Sequence, residues 1–137
     1  MSHRFLAFKL ISVILLSCAT TPSASEDPSK LISRENLNRN ITVRGYAVNH
    51  KNGAALLVDG VTLWIDKLSS WPDGYYEGGD RGKRLEVRGL LSEAYDLPVF
   101  IPKKGEPQKQ GIPLPEASDL RKASHRFILK NASWIML

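Results

Sequence analysis

Apolar and polar side chains alternate along ITVRGYAV: Ile41, Val43, Gly45 and Ala47 fall on one side, Thr42, Arg44, Tyr46 and Val48 on the other. A two-residue period is that of a strand with one face buried. NHKNGA follows as a turn, with Asn52-Gly53 suited to positive φ. ALLVD predicts a second strand, Asp59-Gly60 a tight turn and VTLWI a third strand, so residues 41–65 read as a meander. The period then breaks. DKLSSWPDGYYEGGDRG carries Pro72 and four glycines, a composition that forbids a long helix and leaves room for one turn over 67–71. KRLEVRGLL resumes the alternation, with Leu85, Val87 and Gly89 opposed to Arg84, Glu86 and Arg88.

Downstream, LPVFI predicts a short arm, and PKKGEPQKQGIPLPE, with four prolines, a loop. SHRFILKNASW predicts a closing strand with Phe127 and Leu129 on one face, preceded by a short helix over 118–123 capped by Ser118. Upstream, residues 31–39 are polar with sparse apolar positions and predict a turn or short helix. Three meander strands, an interruption, a fourth strand, a long loop and a fifth strand follow the order of an OB-fold barrel. The expected class is therefore all-β: a small five-stranded OB-fold-like barrel over 39–137, its helix between strands three and four reduced or missing. Gly45 and Gly89 suit the sharp bends that a small barrel demands. A small open sandwich or an SH3-like barrel is the alternative.

The first residues have another character. His3, Arg4 and Lys9 make a basic start, Leu10 to Leu16 an apolar run broken by Ser12, and small residues follow, which predicts an export signal over 1–17. The run falls short of the roughly 20 apolar residues a membrane span needs. LLSC, residues 15–18, resembles the lipobox of bacterial lipoproteins, and that resemblance implies lipidation at Cys18. Ordinary cleavage after Ala19 or Ser25 is the alternative. Cys18 is the only cysteine, so no disulfide forms within the chain, and a lone thiol in an oxidising compartment calls for an explanation. Residues 18–38 then serve as tether and lead-in. Removing residues 1–17 takes away Arg4 and Lys9 and lowers the net charge from +5 to +3, 17 basic against 14 acidic residues. That is too little for a nucleic-acid arm.

VRGYAV, GAALLVDGVTLWIDKLSSWP and GKRLEVRGLL, together spanning about residues 41–91, resemble small bacterial envelope proteins built as a single OB domain behind an export signal. The resemblance implies a fold and a compartment. It implies no activity.

Candidate chemistry follows from the alternation. With Leu63 and Ile65 inward, Trp64 faces outward, on the same general side as Arg44, Tyr46, Arg84, Glu86 and Arg88. Interleaved arginine and aromatic side chains are what single-stranded nucleic acid binding uses. The competing expectation places Trp64 and Tyr46 under the long 92–125 loop, with Arg88 and Glu86 paired across strands. Trp71, Tyr75 and Tyr76 form a candidate recognition patch; a plug at the barrel end suits Trp71 better, and contact suits Tyr75 and Tyr76. His50 falls in a predicted hairpin and His125 before the last strand, with no thiol left for a metal cluster. No G-x-S-x-G elbow and no phosphate-cradling glycine loop is present.

These features predict an exported, monomeric, non-enzymatic binding module, lipid-anchored through Cys18, with no cofactor and no metal. Its partner is another envelope protein or a glycan. The candidate contact residues are Trp64, Trp71, Tyr75, Tyr76, Arg44, Arg84 and Arg88. The alternatives are a periplasmic nucleic-acid or anion binder using the arginine-aromatic face, and an inhibitor or immunity-type protein.

Overall fold

Each alternating stretch forms a strand in the computed structural model, which describes residues 27–137. The export signal, Cys18 and the tether as far as residue 26 lie outside the described residues. Strands β1 (Asn40–His50), β2 (Gly53–Val58) and β3 (Val61–Ile65) make the meander. β4 (Arg84–Tyr95) and β7 (His125–Met136) are the two longest strands. The five close into a barrel in the order β1-β2-β3-β7-β4 and back to β1, with β3 and β7 parallel and the other neighbours antiparallel. This is the strand order expected from the sequence, and closure leaves the sheet no free edge to manage.

Two bends allow strands of this length to close. β1 pairs with β4 through residues 40–46 and with β2 through residues 46–50, so it passes from one neighbour to the other at Tyr46. Beside that crossing, a β-carbon on Gly45 would run into the Leu57 carbonyl and the Leu56 side chain. The second bend is a bulge between β4 and β7, where the register shifts between Arg88 and Leu90. Gly89 sits there, and a β-carbon would lie 2.8 Å from the Lys130 carbonyl oxygen. Asn131, on the opposing strand, supplies the bulge's left-handed residue at φ 50°. At the β2–β3 turn Asp59 and Gly60 both take positive φ, as a two-residue hairpin requires. The β1–β2 turn differs from expectation: only Gly53 does so, and Asn52 does not.

The interior is filled by the inward set: Val43, Ala47, Leu56, Val58, Leu63, Leu85, Val87, Leu91 and Leu129 are all at or near full burial. No helix separates β3 from β4. Instead residues 66–83 cross the barrel end and insert Trp71, whose indole N–H donates to the Ala55 carbonyl at 2.8 Å. Its ring meets Trp134 edge-on at 5.0 Å between centroids and stacks on Tyr75. Trp71 is thus part of the core and not the contact residue expected from the sequence.

Three further details depart from expectation. The lead-in belongs to the folded body: 3-10 turns η1 (Pro28–Leu31) and η2 (Arg34–Asn36) pack on the barrel, and Ile32 is buried in its core. Within the long loop, β5 (Val99–Phe100) finds a parallel partner in β6 (Ile112–Pro113), inside the proline-rich stretch read as loop. The short helix α1 spans Leu120–Ala123, and its cap is Asp119, whose carboxylate accepts from the Lys122 N–H at 3.1 Å; Ser118 bonds to the Pro115 carbonyl instead. A carboxylate one residue nearer the helix outcompetes the serine.

Candidate ligand-binding groove

The side of the barrel formed by β3 and the start of β7 carries a groove of about 540 Å³. Its floor is Thr62 and Trp64 of β3 with His125, Arg126 and Phe127 of β7. One rim is the β1–β2 turn, through His50, Lys51 and Asn52; the other is the long loop, through Leu97 and Ile112. Trp64 points out of the barrel, as alternation requires, yet it is only 8% exposed. It packs with Ala55 and Ile128 and is covered by Leu97 of the long loop. The His50 ring lies 5.2 Å from it on one side, and the Arg126 guanidinium stands over it at 5.3 Å. That guanidinium is pinned by two hydrogen bonds to Asp96, at 2.6 and 2.8 Å, and this pairing holds the Asp96 carboxyl below its ordinary pKa. The cation over Trp64 is therefore placed by an acid on the long loop.

His125 forms one end of the floor. Its Nε2 is 2.7 Å from the Glu93 carboxylate, and its ring meets Phe127 edge-on at 4.8 Å. That hydrogen bond, with help from Arg34, holds Glu93 below the usual carboxylate range.

The other predicted contact residues lie elsewhere. Cross-strand register sets Tyr46 beside Arg84, Arg44 beside Glu86 and Thr42 beside Arg88 on the outer face of β1 and β4. The pair that forms there is Arg44–Glu86, at 2.8 Å, in place of the expected Arg88–Glu86. This wall borders its own concavity of about 590 Å³, larger than the Trp64 groove, lined also by Pro28, Leu31, Leu57 and Asp59. Size alone does not favour it: it lacks the flanking long loop and its charges are partly paired. Trp64 and the three arginines were expected on one surface and occupy two, because alternation separates inside from outside but says nothing about position around the barrel. Tyr75 and Tyr76 are half-buried, Tyr75 against Trp71, and no residue of 70–83 lines the groove. The residues missed by sequence reasoning are Asp96, Arg126 and Leu97. Asp96 and Leu97 had only their place in the long loop as a signal, and Arg126 only its place at the start of the closing strand.

Compared with known protein families, with characterised proteins and with solved structures, the chain matches none.

Proposed function

We propose that this protein is an exported, non-enzymatic binding module, held at a membrane through lipidated Cys18, that takes a glycan in the Trp64 groove. The observation that carries the ligand is the groove itself, an aromatic floor between the β1–β2 turn and the long loop. OB barrels hold oligosaccharides and oligonucleotides on the face of strands two and three, between the loops joining strands one to two and four to five. This groove shares the third strand and both loops. A volume of about 540 Å³ falls in the range of small-ligand sites, and a few polar groups on an aromatic lining suit a sugar's C–H faces and hydroxyls. Nucleic acid suits it less. The groove's own arginine is already paired with Asp96, and Arg44, Arg84 and Arg88 stand on another wall, so no continuous cationic track follows a backbone.

Titration of the exported chain with oligosaccharides tests the reading. Amide shifts should concentrate at residues 50–52, 62–64 and 125–127, and the absence of any shift with neutral and acidic sugars alike rejects it. Cys18→Ala should move the protein from the membrane to the soluble fraction; unchanged fractionation rejects the anchor.

An envelope-protein partner is the second reading, favoured by a different observation. On the outer face of β1, β2 and β7, Tyr46, Leu57 and Ile135 stand exposed beside the arginines of β1 and β4, at 51%, 40% and 59%. Exposed aromatic and aliphatic residues beside arginine are the composition of interface cores. Capture from an envelope extract that is lost with Tyr46→Ala and Ile135→Ser supports it, and capture unaffected by both removes it.

A further inference from the structure

His125 also lines a second hollow of about 440 Å³, between η2 and α1, together with Arg34, Tyr95, Asp119, Arg121 and Lys122. Its chemistry is distinct. Tyr95 holds two guanidinium groups at once: Arg34 donates from Nη2 to the Tyr95 hydroxyl at 2.8 Å, and Arg121 stands over the ring at 4.5 Å. A phenol and a ring face orient a guanidinium without neutralising it. Of the nearby carboxylates, Glu93 is shared between His125, at 2.7 Å, and Arg34, at 3.4 Å, so Arg34 is partly balanced. Asp119 is occupied in capping α1. Among the described residues, neither Arg121 nor Lys122 has a carboxylate partner.

We infer that this hollow is an oxyanion subsite, and that the ligand of the adjoining groove is an acidic glycan whose carboxylate or phosphate reaches Arg34, Arg121 and Lys122. The glycan half rests on the reading of the Trp64 groove; the anion half stands without it. Guanidinium groups accept planar and tetrahedral oxyanions through paired N–H donors. Two that are already oriented lose less freedom on binding than two free ones. His125 lines both hollows, so the subsite adjoins the groove and an oligosaccharide bound there has its next residues beside Arg34, Arg121 and Lys122.

The experiment uses the exported chain at low salt and reads amide shifts with two probes. Inorganic phosphate should shift residues 93–95 and 119–125. Arg121→Ala combined with Lys122→Ala should weaken that binding at least tenfold, while Lys103→Ala with Lys104→Ala, an equal loss of charge elsewhere, should leave it unchanged. An oligogalacturonate should bind at least tenfold more tightly than a neutral galacto-oligosaccharide of the same length, and the Arg121/Lys122 variant should erase that difference. Phosphate binding at the hollow with no binding of either sugar keeps the subsite and overturns its acidic-glycan ligand along with the groove reading. Equal affinity for the two sugars, with no phosphate response, leaves the groove reading standing and overturns the subsite. A phosphate response reduced as much by the Lys103/Lys104 variant reports net charge alone and overturns it too.

Discussion

Trp71 and Trp64 are almost equally sealed from water, at 4% and 8% exposure, but the loops that seal them do opposite things. Residues 66–83 lock Trp71 into the core. Its backbone N–H donates to Asn49 Oδ1, its indole N–H to the Ala55 carbonyl, and its ring is packed by Trp134 and Tyr75. Trp64 lies outside the barrel wall. Its cover is a histidine at the end of β1, an arginine held by Asp96, and Leu97 of the long loop. Removing the cover of Trp71 opens the barrel, whereas removing that of Trp64 opens only the groove. Equal burial thus closes the fold at one end and builds a recognition wall on one side.

The largest effect is expected at Trp71. Trp71→Ala should destabilise the domain by about 3–5 kcal/mol in denaturant unfolding, from lost transfer energy, a cavity and an orphaned carbonyl. A loss below about 1 kcal/mol means the 66–83 loop does not close the barrel. Trp64→Ala should cost less, about 2 kcal/mol, since the ring packs on one face of the sheet and not inside it. The same variant should lose glycan binding, and retention of full affinity removes Trp64 from the site.

Smaller still is Asp96→Asn. The carboxylate is half-exposed and screened by solvent, so the ion pair contributes at most about 1 kcal/mol. Its clearer effect should be on order: releasing Arg126 frees the cover of Trp64, and hydrogen exchange over 96–124 should quicken while the core strands stay protected. Uniform exchange across variant and parent contradicts the pinning role. The smallest effect is that of acid. Asp96 and Glu93 have pKa values lowered by Arg126 and His125 respectively. A depressed carboxylate contributes stability that is fully present above its ordinary value, about 4, and is lost as pH falls through the folded value. Melting temperature should therefore decline from pH 5 towards pH 3, and Asp96→Asn should flatten that decline. Identical slopes for parent and variant detach the pair from acid stability.

Much of the barrel was legible because alternation is a local property. The inward residues of β1 and β4 were all readable from a period of two, and Gly45 and Gly89 marked the bends where backbone approaches backbone. Less of the site was legible. The outward direction of Trp64 followed from its neighbours, but its burial depends on Arg126 and Leu97, which are 62 and 33 residues away in the chain. Arg44, Arg84 and Arg88 shared its side of the alternation and still face a different quadrant. The packing of the lead-in was hidden for a similar reason: Leu31, Ile32 and Leu37 are sparse apolar positions in a polar run, and only the barrel they pack on reveals Ile32 as core.

The chain alone determined which residues of the strands face inward, where the meander turns, and that a helix could not form across 66–83, since side-chain alternation, glycine and proline act within a few residues. It did not determine that β4 runs on to Tyr95. Tertiary structure decided the rest. Barrel closure chose which outward side chains became neighbours, set Asp96 against Arg126 and Tyr95 between Arg34 and Arg121, and turned one tryptophan into core and another into a wall. Those pairings span tens of residues and come from the wrap of the sheet, which no local period encodes.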